Sequence, residues 1–227
     1  MLLCYITNRR SFGGSDAEQR AALLRCIGDA ARAGVDYLQL REKDLNLADL
    51  ELLAHEAMRV IRGVSASTRV LINTHVEIAL AVGADGVHLP AGSPSAEVVR
   101  NRWLRQSKLE PVVGVSAHTP GDVQQAERQG ASFAVLAPIF EKTQTGAGGI
   151  GLDVLRGACA LSGMPVLALG GVRLGNARDC IEAGAAGIAA IRLFQENGVH
   201  QTVAALRWLE QTAVSYTHPT LPTKRIV

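Results

Sequence analysis

The amino-acid sequence predicts an α/β protein, a (β/α)8 TIM barrel that forms a single domain. Its 227 residues, of which 48% are hydrophobic, match the size of one such barrel. A helical stretch that ends in a glycine between small residues, followed at once by a short apolar run, occurs four times. These glycines are Gly34, Gly83, Gly130 and Gly184, spaced by 47 to 54 residues. Each interval is long enough for two strand-helix units, so the whole chain is predicted to hold eight.

Each predicted strand is a short apolar run, and each predicted helix is an amphipathic stretch between two such runs. We expect strands at Leu3–Thr7, Tyr37–Leu40, Val70–Asn73, Gly86–Leu89, Val112–Ser116, Phe133–Leu136, Val166–Leu169 and Gly187–Ala190. We expect helices at Glu18–Ala33, Leu47–Arg62, Val76–Val82, Ser95–Arg105, Pro120–Gln129, Leu152–Leu161, Gly175–Ala183 and Val199–Thr212. Strands that are apolar on both faces and alternate with helices form a parallel sheet that helices cover.

A doubly wound open sheet is the alternative to a closed barrel. It is disfavoured because no GxGxxG motif follows the first strand and because a four-fold period suits closure. We expect the barrel to occupy residues 1–213. Residues 214–227 contain two prolines and no periodicity, so we expect a disordered tail there and consider it a candidate non-native extension.

The composition excludes several classes of protein. The net charge is +2 and aromatic residues make up 4% of the chain, so the basic, aromatic-rich surface of a nucleic-acid reader is not expected. No apolar run reaches the roughly 18 residues of a membrane span, and the N-terminus lacks the pattern of a signal peptide. The four cysteines form no close pair, as expected in a reducing compartment. We therefore expect a cytoplasmic protein.

The polar residues that end the strands are candidate site residues, because barrel enzymes place their chemistry at the C-terminal ends of the strands. The second strand ends in Gln39, Arg41 and Lys43. An unpaired Arg41 inside an apolar strand would cost several kcal/mol, so we expect an anionic partner. That partner is either a phosphate or diphosphate ligand, to which Gln39 and Lys43 also donate, or a glutamate within the barrel.

The ends of the third, fourth and fifth strands carry further polar groups. Asn73 is a candidate ligand-binding amide, and Thr74 is an alternative N-cap for the next helix. His88 is expected to be a buried histidine with a hydrogen-bonded ring. Ser116 is a candidate donor to a heterocycle, and His118 is either a proton carrier or part of a helix cap.

The segment after the sixth strand, residues 138–151, is long and rich in glycine and threonine. Such a segment predicts a mobile lid, with a plain surface loop as the alternative. Lys142 and the hydroxyls of Thr143 and Thr145 suit closure over phosphates.

The seventh and eighth strands predict a second phosphate site. Gly170 and Gly171 follow the seventh strand, and Ile191 and Arg192 follow the eighth. This pair of loops commonly binds phosphate in barrels, because glycines allow close approach of the backbone and a helix start donates its amides.

Seven segments, taken in order, resemble the thiamine phosphate synthase and thiazole tautomerase superfamily over residues 3 to about 212. They are QLREKD at 39–44, the asparagine at 73, GADGVHL at 83–89, GVSAHT at 114–119, APIFEKT at 137–143, ALGGV at 168–172 and AGAAGIAAI at 183–191. The resemblance implies a barrel enzyme that ionises a hydroxymethylpyrimidine diphosphate to a carbocation, which the nitrogen of a thiazole phosphate captures.

The resemblance also implies roles for the candidate residues. Gln39, Arg41, Lys43 and Asn73 would bind the diphosphate, Ser116 would lie near the pyrimidine, and the lid would cover the leaving group. The implied catalytic residues are Arg41, Lys43, Ser116, His118 and Lys142. The implied substrate-binding residues are Gln39, Asn73, Thr143, Thr145 and, for the thiazole phosphate, Gly170, Gly171, Ile191 and Arg192.

The sequence departs from the synthases at the metal site that the resemblance implies. Thr74 and Ser93 stand where synthases carry aspartates, although Mg²⁺ prefers carboxylate oxygens. Mg²⁺ therefore remains the implied cofactor, without its usual ligands. The loop after His88 is more similar to the tautomerases, whereas Pro138 replaces the tautomerase histidine after the sixth strand.

We therefore expect synthase activity first, isomerisation of a thiazole carboxylate phosphate second, and a non-catalytic phosphate-ligand barrel third. The expected partners are two small molecules, a pyrimidine diphosphate and a thiazole phosphate, with no nucleic acid and no membrane. Assembly into a homo-oligomer is left open.

Overall fold

Eight parallel strands pair edge to edge and close into a barrel, in the order in which they occur along the chain. The computed structural model describes residues 1–140, 148–196 and 198–214, the last five as backbone only. The strands are β1 (Leu2–Ile6), β2 (Tyr37–Leu40), β3 (Arg69–Asn73), β4 (Gly86–Leu89), β5 (Val112–Ala117), β6 (Phe133–Leu136), β7 (Val166–Ala168) and β8 (Gly187–Ala190). The predicted α/β barrel is confirmed, and the open sheet is not formed.

The pairing of the first and last strands closes the sheet. Cys4 of β1 lies opposite Tyr37 of β2 on one side and opposite Ala189 of β8 on the other. Helices follow the strands and cover the outside of the barrel. They are α1 (Asp16–Ala33), α2 (Leu47–Arg62), α3 (Val76–Ala81), α4 (Ala96–Leu104), α5 (Pro120–Arg128), α6 (Leu152–Ala160), α7 (Ala177–Glu182), α8 (Arg192–Gln195) and α9 (Val199–Val214).

Local side-chain chemistry explains where helices begin and end. Helix α1 starts two residues before its predicted start, because Ser15 and Glu18 form a capping box. The four glycines of the sequence repeat have φ values between +67° and +97°, as predicted for left-handed residues that end a helix. The sequence did not predict α8, which has only four residues and is too short to show a helical period.

Side chains inside the barrel form an apolar cluster separate from the larger one between sheet and helices. Cys4, Leu71, Phe133 and Leu167 belong to the inner cluster. The ring of Phe133 stacks on Tyr37 with centroids 4.8 Å apart. The lower part of the interior is therefore packed with side chains, as in other closed eight-stranded barrels.

Two predicted segments lie wholly or mostly outside the described residues. Of the predicted lid, residues 141–147 fall outside, and with them Lys142, Thr143 and Thr145. Of the predicted tail, the described part is Val214, the last residue of α9. Within the described ranges, no helix is both long enough and apolar enough to cross a membrane.

Candidate active site

The inward-facing positions change from apolar to polar toward the C-terminal ends of the strands. Asn73 pairs with His88 across β3 and β4, and Ser116 lies on the neighbouring strand β5. The Gln39 amide donates to Asn73 Oδ1 at 3.2 Å. Asn73 in turn donates to the Thr74 hydroxyl at 2.9 Å. The structure thus brings these predicted residues together at one end of the barrel.

Arg41 follows β2 and is half-buried. Its backbone N–H donates to the Thr7 hydroxyl at 2.9 Å. Within the described ranges, no carboxylate lies within ion-pair distance of its guanidinium. The alternative of an internal pair with a glutamate is therefore not seen there, since Glu42 bonds to Thr7 and Arg9 instead.

Lys43 lies next to a cavity of about 270 Å³ at the ends of β2 and β3. Its side chain is exposed, and Asn73 and Thr74 line the same cavity. The cavity has one cation, one carboxylate (Glu42) and several neutral donors around it. Its size and donors suit a small anionic group such as phosphate.

A buried arginine, Arg9, connects the end of β1 to the end of β2. The sequence did not predict this contact. The Arg9 side chain is 4% exposed and bonds Asp44 at 2.6 Å and Asp16 at 2.7 Å. Its Nη1 also lies 3.7 Å from the buried carboxylate of Glu42. The hydrogen bonds from Arg9 and then Arg10 lower the pKa of Asp44 to about 2, whereas burial raises the pKa of Glu42. More than 30 residues along the chain separate Arg9 from Glu42 and Asp44, so no local motif reveals these contacts.

The residues at this end do not fit a Mg²⁺ ion held by protein carboxylates. Thr74 and Ser93 offer hydroxyls, and the nearby Glu42 and Asp44 are bonded to arginines. In the part of the chain that the structure describes, no three His, Cys, Asp or Glu residues are grouped to bind a metal.

Thr74 has an unusual backbone conformation for a β-branched residue. Its φ is +69°, in the left-handed region that strains such side chains. Its N–H donates to the His88 carbonyl at 2.9 Å, which ties the end of β3 to β4. The alternative role as N-cap of α3 is wrong, because His75 occupies the cap position and has no side-chain cap bond.

His88 is buried as expected, and its ring contacts Ser116. His88 Nε2 lies 2.9 Å from Ser116 Oγ. Burial, followed by the positive charge of Arg41, lowers the pKa of His88 to about 4. The imidazole is therefore neutral at neutral pH, and the guanidinium of Arg41 is close enough to influence it.

His118 takes part in the cap of α5, one of the two roles that the sequence left open, and its role as a proton carrier stays a prediction. Its backbone N–H donates to Asp122 at 2.9 Å, as part of the cap of α5. Its ring Nδ1 lies 2.9 Å from the Ala137 carbonyl. A carbonyl only accepts, so in the neutral ring the proton lies on Nδ1, and no described residue bonds to Nε2.

The second predicted phosphate site joins the loop after β7 to the start of α8. Gly170 has φ +97°, and a Cβ there would lie 2.8 Å from Pro138. Gly171 has φ +66°. The amides of Ile191 and Arg192 begin α8 and therefore have no partner within that helix. The second phosphate site at these two loops stays a prediction, supported by the common use of this pair of loops for phosphate in barrels.

Comparisons with known proteins agree with this geometry. A family model described as thiamine monophosphate synthase matches residues 3–194. The chain belongs to the thiamine monophosphate synthase family. The match covers both predicted phosphate sites and every inward polar residue described above.

Curated and solved relatives of the thiamine monophosphate synthase family cover most of the chain. A putative thiamine-phosphate synthase of Geobacter sulfurreducens is 40% identical over 83% of this chain and 84% of its own. The putative thiamine-phosphate synthase 2 of Aquifex aeolicus is 38% identical, over 84% and 96%. A solved thiamine phosphate pyrophosphorylase from Pyrococcus furiosus has a TM-score of 0.77 and 25% identity, covering 94% of this chain and 96% of that one.

The Arg9 cluster yields a stability prediction. Arg9→Met leaves the buried Glu42 carboxylate without its nearest cation, so we expect the free energy of unfolding at pH 7 to fall by about 3 kcal/mol. Urea denaturation measures this change. Arg10→Met is the matched control, because the Arg10 side chain is 63% exposed, and we expect it to cost under about 1 kcal/mol. Equal losses in the two variants would contradict the prediction.

His88 yields a prediction on pH dependence. Its pKa is about 4 when folded and about 6.5 when unfolded. The unfolded chain therefore binds more protons between these values, and the contribution of His88 to stability is lost as the pH falls. Between pH 7 and pH 4.5 we expect the unchanged protein to lose about 2 to 3 kcal/mol more stability than His88→Gln.

Urea denaturation at both pH values tests the His88 prediction. The raised pKa of Glu42 increases stability as the pH falls, but it does so equally in the unchanged protein and in His88→Gln. His200→Gln, at an exposed position, controls for loss of an imidazole. A His88→Gln variant that loses as much stability as the unchanged protein would reject the prediction.

Proposed function

We propose that this chain is a thiamine phosphate synthase, a transferase that couples hydroxymethylpyrimidine diphosphate with thiazole phosphate. Family membership and relatives named thiamine-phosphate synthase support the proposal. The observation that carries it is Arg41, a half-buried cation with no carboxylate partner in the described residues, next to Lys43 and the Gln39–Asn73 pair. These cations and amide donors are suited to binding an anionic ligand.

The proposed reaction proceeds in two steps. The bond between the pyrimidine methylene carbon and the diphosphate oxygen breaks, and the oxygen keeps the electron pair. The carbocation then takes the lone pair of the thiazole nitrogen, which forms the new C–N bond. The products are thiamine phosphate and diphosphate.

The residues of this chain would stabilise the charge that moves to the departing oxygens. We place Arg41, Lys43, Gln39 and Asn73 on the diphosphate, and Ser116 beside the pyrimidine. We place the thiazole phosphate on the backbone of Gly170, Gly171, Ile191 and Arg192. Lys142, Thr143 and Thr145 keep their proposed role over the leaving group. Fixed donors directed at developing charge are the largest source of catalysis in such sites.

We propose that magnesium binds to the substrate rather than to carboxylates of the protein. The family resemblance implies it, but the hydroxyls of Thr74 and Ser93 do not replace carboxylates. We therefore assign it to the diphosphate oxygens and expect weak binding of the metal by the protein alone.

A thiazole tautomerase is the second candidate, and the His118 ring favours it. A ring held by the bond from Nδ1 to Ala137, with no described residue bonded to Nε2, is suited to moving a proton between carbon atoms. This reaction needs no diphosphate site and no metal.

One assay separates the two functions. The purified chain is incubated with both synthase substrates over a series of magnesium concentrations, and thiamine phosphate and diphosphate are measured. Coupling that rises with magnesium and survives His118→Ala supports the synthase. Thiazole isomerisation that is lost in His118→Ala, without thiamine phosphate at any magnesium concentration, would establish the tautomerase instead.

We propose a cytoplasmic location, with small molecules as the only expected ligands. All four cysteines are free thiols in the structure, which suits a reducing compartment.

Arg41→Met tests the diphosphate site. Loss of a charge-assisted contact should cost about 2 to 4 kcal/mol of transition-state stabilisation, so turnover should fall tens to hundreds of times. The melting temperature should stay within a few degrees, because the described structure shows no ion pair to break. Arg25→Met, on the exposed surface of α1, is the control for removing a guanidinium. An Arg41→Met protein that melts much earlier but keeps normal turnover per folded molecule would reject the assignment.

Gly171→Ala tests the thiazole phosphate site. An alanine at φ +66° is strained and projects a methyl group toward an approaching phosphate. We expect affinity for the thiazole phosphate to fall at least tenfold, roughly 1.4 kcal/mol, as measured by titration calorimetry. Gly175→Ala in the same loop is the control, because an added Cβ there has no neighbour within 4 Å. Unchanged affinity in Gly171→Ala would place the phosphate elsewhere.

A further inference from the structure

The His88 ring lies inside the barrel with its two nitrogens in different surroundings. Nε2 is 2.9 Å from Ser116 Oγ. Nδ1 is fully buried and has no hydrogen-bond partner among the described residues. One nitrogen therefore contacts a hydroxyl, and the other has no hydrogen-bond partner in the described structure.

The glycine on the neighbouring strand shows what Nδ1 faces. A Cβ added to Gly114 would lie 2.7 Å from His88 Nδ1 and 2.6 Å from the edge of the Phe133 ring. In glycine, a Cα hydrogen points in that direction. Nδ1 therefore faces a C–H group, and no acceptor is available there.

This environment selects one tautomer of the neutral ring. An N–H at Nδ1 would be a buried donor without an acceptor, which costs about 1 to 3 kcal/mol. A bare lone pair at Nδ1 instead receives a weak contact from the Cα hydrogen. The proton of the neutral ring therefore lies on Nε2, which donates to Ser116 Oγ.

The direction of this bond determines what Ser116 can do. Its oxygen accepts from His88, so its own hydrogen must point elsewhere. In the described parts of the chain, no acceptor lies within reach of that hydrogen. Ser116 is only partly buried, at the polar end of the barrel near Arg41.

We infer that His88 is a positioning residue, which as the Nε2–H tautomer turns the Ser116 hydroxyl into a hydrogen-bond donor for an acceptor atom of the substrate. The inference deepens the proposed function, since the substrate is the one assigned to this end of the barrel. Gly114 also helps to position His88, because any side chain at residue 114 would collide with the His88 ring.

Nuclear magnetic resonance of the ¹⁵N-labelled protein tests the tautomer without any substrate. His88 is assigned by the signals that disappear in His88→Gln. We expect a protonated Nε2 and an unprotonated Nδ1 between pH 6 and pH 8. A ring protonated at Nδ1, or a mixture of both forms, would overturn the inference. Because this experiment needs no turnover, its outcome is independent of whether the chain is a synthase.

A double-mutant cycle tests the action through Ser116. We expect Ser116→Ala and His88→Met each to lower kcat by roughly tenfold, the value of one lost hydrogen bond. The double variant should be no slower than Ser116→Ala alone. His88→Gln, whose side-chain amide replaces the Nε2 donor, should restore kcat to within a few-fold. His55→Met, at an exposed position of α2, should leave kcat unchanged.

Two further outcomes of the double-mutant cycle need to be distinguished. If His88→Met slows the Ser116→Ala enzyme as much as it slows the unchanged enzyme, His88 acts on packing alone and the inference is wrong. If His88→Met does not fold, the resonance experiment and the His88→Gln variant decide.

Discussion

Pairing of the first strand with the last is the constraint on which the rest of this molecule depends. It gives every strand two neighbours and leaves no free edge, so alternate residues of each strand must face the interior. Gln39, Asn73, His88 and Ser116 share one enclosed space because closure wraps the four strands that carry them, β2 to β5, around a common interior. A slip of one residue in any strand would turn its polar group outward.

The open end of the barrel contains charged groups of two kinds. Glu42 and Asp44 both bond to Arg9, and this cluster joins the ends of β1 and β2. Arg41, one residue before Glu42, has no such partner in the described structure. Burying an ion pair costs desolvation that its attraction only partly returns. The cluster is therefore better understood as holding two loop ends in one arrangement, which keeps the remaining cations directed at a ligand.

Much of the fold was predictable because its signals are local. The apolar runs and the glycines that end helices lie within a few residues of the structures they specify, and the strand ends follow from alternation. The Arg9 cluster was not predictable, since Arg9 follows β1 whereas Glu42 and Asp44 follow β2, and these residues meet only when the two strands pair. The left-handed backbone of Thr74 was not predictable either, because β-branched residues such as threonine rarely adopt positive φ values. At the site, residue types indicated phosphate chemistry, but the His88–Ser116 contact depends on the register of two strands.

The stacked rings of Tyr37 and Phe133 belong to the first residues of β2 and β6 and fill part of the lower interior. Phe133 also lies beside His88, with ring centroids 6.1 Å apart. An apolar layer thus supports the imidazole from below. The orientation of this polar ring therefore depends on aromatic packing as well as on its bond to Ser116.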